Sequence, residues 1–425
     1  MAKEFFGTDG IRGIPGTPPL DDATLYATGR ALAEYLSREH GAAHVLIGMD
    51  TRESGPHIAS LLAAGLARAG ATVAFAGVIT TPGVACLVRQ NDFQAGVVIS
   101  ASHNPFQDNG VKLFSHAGMK FPDAVEEELE SGILRHRGEA APKNLPPLAA
   151  DESLDAEYLA FLRKRFIPGA KLTGFRIVLD CANGAAFKLG PELFRSLGAE
   201  VVAMGVSPDG RNINAGCGSL HLEGLQKRVV AEKARLGVAF DGDADRALFA
   251  DCHGNVVNGD AILLLAARDL KARNLLNGDI VVATTMSNMG LEAALRRDRI
   301  KMLRAPVGDK YVLEMMQANS ASLGGEQSGH ILFPHLATTG DGLLTALVVL
   351  DIVRRSGKAL HEIIADLKVF PQVIVNIRVK EKKPLDQIDA VAATIREAEG
   401  ALNGNLGSCS CNDVEIRPPS IAESL

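Results

Sequence analysis

The sequence predicts an α/β protein made of three similar units whose strands end in polar loops facing one cleft. Three observations carry that expectation. Short β-branched runs alternate with stretches of helical periodicity along most of the chain. Several of those runs deliver hydroxyl or carboxylate side chains straight into glycine-containing turns. The composition is 47% hydrophobic and 22% charged, yet only 5% aromatic and without tryptophan. A core of Ala, Val, Leu and Ile is the kind that buried parallel sheets use.

The elements follow in order. In the first third, His44–Gly48, Thr72–Phe75 and Gly96–Ile99 read as strands, with helices near residues 23–38 and 57–69. A Pro- and charge-rich passage from Arg137 to Leu154 marks a boundary. The middle third opens on the strand Arg176–Leu179, followed by a helix to Leu197 and a strand at Glu200–Met204. A long loop, S-P-D-G-R-N-I-N-A-G-C-G, then leads to the strand Val238–Phe240. The third unit has strands at Ile280–Thr284 and Met302–Ala305, with a helix after Ser287. Beyond it, Val369–Val379 alternates as a strand and Pro384–Leu402 has the periodicity of a helix. At about 150 residues per domain the length suits about three full domains. The expected division is 1–150, 151–255, 256–368 and a smaller α+β unit at 369–425.

Three loops carry chemistry. Ile99 to Lys112 reads I-S-A-S-H-N-P-F-Q-D-N-G-V-K, so a buried strand delivers Ser100 and Ser102 beside His103 and Asn104. A hydroxyl on a rigid strand end suits a group that attacks and is attacked in turn, although such loops are common without chemistry. Residues 236–246 read L-G-V-A-F-D-G-D-A-D-R, and Asp241, Asp243 and Asp245 repel one another unless a cation sits between them. A hard ion such as Mg²⁺ suits three carboxylates, the plainer alternative being an acidic surface turn. An EF-hand is excluded, because Arg246 stands where glycine is required and Cys252 where the bidentate Glu belongs. The third loop, G-G-E-Q-S-G-H at 324–330, sets Glu326, Gln327, Ser328 and His330 on a glycine-flanked turn suited to a polyhydroxylated ligand, or to a simple turn.

Taken together these motifs resemble the α-D-phosphohexomutase superfamily. The match runs in order: F-G-T-D-G-I-R-G at Phe6–Gly13, G-M-D-T-R-E-S-G at Gly48–Gly55, the serine loop, the aspartate loop, V-G-D-K-Y-V at Val307–Val312, G-E-Q-S-G-H at Gly325–His330 and T-G-D-G at Thr339–Gly342. The resemblance implies that Ser102 carries a phosphoryl group and that Ser102, Asp241, Asp243 and Asp245 hold Mg²⁺. It places Arg246 near that phosphoryl group, sets Glu326 and Ser328 against sugar hydroxyls, and lines the site with Arg12, His103, Lys112 and His330. Lys112 is the group it offers for handling the proton of the attacking hydroxyl. Gln327 and the N-terminal motif are closest to the bacterial branch acting on glucosamine phosphate, through a hexosamine 1,6-bisphosphate intermediate that also serves as activator. Such an enzyme is an isomerase supplying UDP-N-acetylglucosamine for the cell wall; the mannose- and glucose-phosphate branches are the alternative. An Asp-nucleophile phosphatase of the haloacid-dehalogenase type is a weaker rival, since its D-x-D belongs near an early strand and here lies past the midpoint.

Other features bound the function. A net charge of −6, with no aromatic-plus-basic stripe, gives no reason to expect nucleic acid. The six cysteines lack metal-ligand spacing and read as reduced thiols. No secretory signal is visible, and the longest apolar run, Leu343–Leu350, is too short to span a bilayer. A cytoplasmic monomer or homodimer acting on a small sugar phosphate is expected, with neither nucleic acid nor membrane as partner. Relatives end with a phosphate-gripping loop of the form R-x-S-G-T-x-P-x-x-R, whereas this chain reads G-N-L-G-S-C-S-C-N-D-V-E-I-R from Gly404. The resemblance therefore implies an aberrant or truncated C-terminal domain, a tail easily trimmed from Gly404, and impaired turnover.

Overall fold

Five consecutive residues without solvent contact, Ala95–Ile99, form the strand that delivers the serine loop, and the first sheet is built around it. In the computed structural model, residues 4–7, 9–41, 43–165, 171–372 and 388–401 are described. The first unit contains β1 (Phe6–Gly7), β2 (Gly10–Gly13), α1 (Asp22–His40), β3 (His44–Met49), α2 (Gly55–Arg68), β4 (Thr72–Val78), α3 (Thr81–Gln90), β5 (Ala95–Ile99), β6 (Asn109–Ser115) and α4 (Asp123–His136). Local chemistry sets the helix ends. Asp21 caps α1 by accepting the Thr24 N–H at 3.1 Å, and Gly41, at φ 71°, closes it in the left-handed region.

The second unit runs α5 (Ser153–Arg165), β7 (Arg176–Asp180), α6 (Leu189–Ser196), β8 (Glu200–Met204), α7 (Glu223–Ala231), β9 (Leu236–Phe240), β10 (Ala247–Asp251) and β11 (Val256–Val257). The third runs α8 (Gly259–Ala272), β12 (Ile280–Thr284), α9 (Met289–Arg297), β13 (Lys301–Ala305), α10 (Asp309–Ala318), β14 (Gly324–Gly325), β15 (Ile331–Leu332) and α11 (Gly342–Ser356). Two further helices are α12 (Leu360–Ile363) and α13 (Asp389–Ala401).

The sheet orders are β1-β2-β6-β5-β3-β4, β11-β10-β9-β7-β8 and β13-β12-β14-β15. One grammar underlies all three. A central strand (β3, β7 or β12) pairs in parallel with the strand after it and with the third, and the third turns back antiparallel into the fourth. The serine loop lies between β5 and β6, the aspartate loop between β9 and β10, and the Glu326 loop between β14 and β15. All three chemical loops therefore occupy the same third-to-fourth connection of their unit. The repeat expected from the sequence is real at the level of topology.

Helices cover the sheets, and the core is aliphatic as the composition requires. One cluster runs from Leu46 and Phe114 through Tyr158 and Phe240 to Leu343, joining the three units, and another packs α1, α2 and α4 on the first sheet. The apolar run Leu343–Leu350 is the buried stretch of α11; among the described residues no helix is long and apolar enough to cross a membrane.

The strand expected at Val369–Val379 is not seen over Val369–Gln372, and its remainder lies outside the described residues. There the backbone docks on the start of α9 instead. The Asn288 side chain accepts the Phe370 N–H at 2.9 Å and donates to the Phe370 carbonyl at 2.8 Å. Those two groups are thus unavailable to a sheet neighbour. The helix expected at Pro384–Leu402 is present as Asp389–Ala401, and both Pro384–Gln387 and the tail from Leu402 lie outside the described residues.

Candidate active site

Ser102 sits at φ 51°, a left-handed conformation that a non-glycine residue adopts only when its surroundings hold it there. Those surroundings are built around Asp50, at the end of β3. Asp50 accepts the Ser100 hydroxyl at 2.6 Å and the Arg52 Nε–H at 2.9 Å, and Ser100 Oγ in turn accepts the Ser102 N–H at 2.9 Å. Arg52 is fully buried and donates to the carbonyls of Ser102 (3.0 Å), Asn104 (2.9 Å), Asp108 (3.0 Å) and Pro105. From the second unit, Asn214 donates to the Ser102 and Asn104 carbonyls at 2.9 and 3.0 Å. The loop is held from both sides.

The aspartate loop closes against it. The Ser102 hydroxyl donates to Asp241 Oδ2, and the Asp241 Oδ1 accepts the Arg246 N–H at 3.1 Å. Gly242 permits this approach, since a Cβ there would lie 2.4 Å from the Ser102 carbonyl oxygen. Thr81, at the start of α3, donates through its hydroxyl to Asp243 Oδ2 at 2.6 Å. Lys112 on β6 is buried, with Nζ at 2.9 Å from Asp243, 3.1 Å from Asp9 and 3.5 Å from Asp245. Arg12 pairs with Asp9, and Arg246 Nη1 lies 3.1 Å from His103 Nδ1.

The third loop joins through its backbone and its histidine. The Gly329 carbonyl accepts the Ala247 N–H at 3.1 Å, just where the aspartate loop exits. His330 Nδ1 is 3.7 Å from Asp245, and its Nε2 is 3.8 Å from Asp309. Glu326 accepts the Ser328 hydroxyl at 2.9 Å and the Gly308 N–H at 3.1 Å. Beside them lies a groove of ≈ 340 Å³ lined by Thr284, Met286, Val307, Glu326, Gln327 and Ser328, among others. Within that lining, Gln327 donates to Asp260 at 2.9 Å.

The electrostatics follow from so many charges in one buried place. Burial, then the fields of Asp245 and Asp243, drive the Asp241 carboxyl well above its ordinary range. Asp245 moves the other way: burial opposes its charge, but Lys112 and His330 outweigh it. For Lys112, burial is likewise outweighed by Asp243, Asp9 and Asp245, which hold it firmly as an ammonium. Burial and the neighbouring Arg246 and Arg12 push His103 down to about 4, so it is neutral at ordinary pH. His330 rises to about 9, because Asp245 and Asp309 overcome its burial.

A divalent cation fits this donor set. The three aspartates present carboxylate oxygens within 4.8 Å of one another, and Asp243 Oδ1 and Asp245 Oδ1 are buried without a hydrogen-bond partner. Hard oxygen ligands of this kind suit Mg²⁺ or Ca²⁺ rather than softer ions.

The residues singled out in the sequence all gather here, Glu326 and Ser328 forming the wall next to His330. Asp9, Thr81, Lys120, Asn214 and Asp309 were not singled out. Lys120 Nζ bridges Asp309 at 2.7 Å and Asp9 at 2.6 Å. Asp9 and Asp309 stand inside recognised motifs, so a signal existed for them; Thr81 and Lys120 carried none.

Three α/β/α units thus bring a serine hydroxyl against a carboxylate triad beside Lys112, Arg246 and Arg12. Models of the phosphoglucomutase/phosphomannomutase α/β/α domains I, II and III match residues 3–139, 156–254 and 258–370 respectively, and the chain belongs to that family. The phosphoglucosamine mutase of Solibacter usitatus is 54% identical over 405 residues, spanning 95% of this chain and 90% of its own. That of Koribacter versatilis is also 54% identical over 405 residues, spanning 93% and 87%. The crystal structure of a phosphoglucomutase/phosphomannomutase family protein from Burkholderia thailandensis superposes with a TM-score of 0.72 at 27% identity, covering 86% of this chain and 80% of that one.

Proposed function

We propose that the chain interconverts glucosamine 6-phosphate and glucosamine 1-phosphate, with Ser102 as phosphoryl carrier. The observation that carries this reading is the Ser102 hydroxyl hydrogen-bonded to Asp241 where two units meet, inside a ring of Lys112, Arg246 and Arg12. Asp241, Asp243 and Asp245, with the oxygen of Ser102, would hold Mg²⁺; the ion would offset charge on the phosphoryl oxygens. Everything else is alignment and charge. In each half-reaction an O–P bond to the sugar forms as the Ser102 O–P bond breaks, or the reverse, and one hydroxyl proton must change place. Lys112, held as an ammonium, gives a proton to the departing oxygen and only then can take one from the attacking hydroxyl. Arg246 and Arg12 neutralise phosphate charge, while neutral His103 remains free to hydrogen-bond. Glu326 and Ser328 accept and donate to sugar hydroxyls, and His330 lies beside them as a cation.

The same reading takes a hexosamine 1,6-bisphosphate as intermediate and activator, and the cytoplasm as compartment. It divides the chain at 1–150, 151–255, 256–368 and 369–425, working as a monomer or homodimer. One assay tests the sugar. Across a panel of hexose phosphates with Mg²⁺, glucosamine phosphates should have the highest kcat/KM, and fastest turnover of mannose or glucose phosphate would reverse the assignment. Mass spectrometry tests the carrier: phosphate stable to acid on Ser102 supports it, whereas an acyl phosphate on Asp241 would point to a phosphatase.

A further inference from the structure

At the far end of β10 from the aspartate loop, three side chains converge that phosphoryl transfer does not use. Cys252 and His253 follow β10 directly, and His361 lies in α12. Cys252 Sγ is 3.6 Å from His361 Nδ1, and the rings of His253 and His361 have centroids 4.5 Å apart. One ligand atom from each of the three falls within 4.8 Å of the others. Cys252 and His361 are half-buried and His253 is exposed, so the cluster opens to solvent.

We propose that Cys252, His253 and His361 form a second cation site, selective for a borderline-soft ion such as Zn²⁺ and completed by a water molecule. The distances fit. Bonds of about 2.3 Å to sulfur and about 2.05 Å to nitrogen at a tetrahedral angle put the two donors about 3.6 Å apart. That is the Cys252–His361 separation of 3.6 Å. The donor chemistry sorts ions between the two sites: a thiolate and two imidazoles favour Zn²⁺ or Co²⁺, whereas Mg²⁺ takes oxygen ligands.

Both sides of the site are held in advance. Asp251 Oδ1 accepts the N–H groups of His253 at 2.8 Å and Asn255 at 2.9 Å, and Gly254, at φ 81°, closes the turn. Opposite, Glu362 accepts the Ala359 N–H at 2.6 Å, buried Leu360 anchors α12, and Arg235 donates to the Lys358 carbonyl at 3.2 Å. A bound ion would staple the β10–β11 turn of the second unit to the segment after α11. The five residues of β10 hold it roughly 17 Å from the aspartate loop.

The test is a Co²⁺ titration of the chelator-treated, reduced, full-length enzyme with the aspartate loop saturated by Mg²⁺. One equivalent should produce tetrahedral visible bands together with a near-ultraviolet thiolate-to-cobalt band, and Zn²⁺ should bleach both. Cys252→Ser should lose the thiolate band, His361→Ala should weaken Co²⁺ binding at least tenfold, and both variants should keep mutase turnover with Mg²⁺. The absence of a thiolate band would reduce the cluster to a thiol–imidazole hydrogen bond and a ring contact. A band surviving in Cys252→Ser, or affinity unchanged in His361→Ala, would equally overturn the proposal.

Discussion

Ser102 and Asp241 share one proton position, and the chemistry assigned to each follows from its neighbours. Ser102→Ala removes the hydroxyl that donates to Asp241, so turnover should fall by many orders of magnitude and the phosphorylated species should vanish. Retention of phosphate in that variant, with loss in Ser100→Ala, would move the carrier to Ser100. Asp243→Asn should weaken Mg²⁺ binding at least tenfold by calorimetry, because it removes one charge from a triad that the ion neutralises. Unchanged affinity would sink the metal assignment. Asp341, buried at the head of α11, accepts the Tyr158 hydroxyl at 2.8 Å and the Leu344 N–H at 2.9 Å, yet burial pushes it up to about 6. The folded state therefore holds its proton more tightly than the unfolded chain, and stability falls as pH rises from about 4 to about 6. Asp341→Asn removes the charge and keeps the bond from the Leu344 N–H, while its amide N–H donates to the Tyr158 hydroxyl oxygen in place of the bond accepted from it. It should flatten that slope and raise stability at pH 7 by about 2 kcal/mol; an unaltered pH profile in thermal melts would show that another group titrates there. At this scale the sequence was most legible where a motif names a residue, as with Ser102 and the aspartates. It was least so where contacts come from distant segments: nothing near Lys112 in sequence shows that three carboxylates fix its charge.

Elements carry the site through their ends rather than their lengths. At or just past the end of each central strand stands a residue whose side chain receives the N–H two positions on: Asp50 from Arg52 at 3.0 Å, Asp180 from Ala182 at 3.0 Å, Thr284 from Met286 at 3.3 Å. Strand positions were readable because the strands are short apolar runs, and both the half-buried Glu200–Met204 and the buried Ile280–Thr284 fall where the pattern puts them. Val369–Gln372 failed because alternation alone cannot tell a strand from an extended segment tied to a side chain, here Asn288. The element most exposed to failure is the serine loop, which has almost no ladder of its own and hangs on Arg52. Arg52→Met would keep the volume but remove the guanidinium from four carbonyls, of which only those of Ser102 and Asn104 keep Asn214, and leave Asp50 buried without its cation. A loss of about 3–5 kcal/mol in denaturant unfolding is expected, with Ser102 poorly phosphorylated. A change below about 1 kcal/mol would mean that Asn214 and Ser100 suffice to hold the loop.

In the whole molecule, one topology used three times places the serine loop, the aspartate loop and the Glu326 loop at the same hairpin connection. The sequence hinted at three units but could not show the repeat, because topology conserves strand order while the side chains in each loop answer to different chemistry. Nor could it show how the first and third units meet. Lys120, just after β6, bridges Asp309 at the head of α10 and Asp9 beside Lys112, and Thr338 donates to the Gly118 carbonyl at 2.6 Å alongside. The ammonium is less than a quarter exposed, so its pairing is screened less than at an open surface. This bridge should couple the contact between the first and third units to the charge balance around Lys112. Lys120→Met leaves Asp309 and Asp9 facing each other without their shared cation, so stability and kcat/KM should both fall. Asp309→Asn alone should cost less, and adding it to Lys120→Met should restore part of the loss, because the orphaned carboxylate is then gone. A double-mutant cycle on unfolding should therefore give a coupling of about 1–2 kcal/mol between the two positions. Strictly additive effects would mean that the two units meet without this ion pair contributing, and the cleft would have to be held by Thr338 and the shared apolar core.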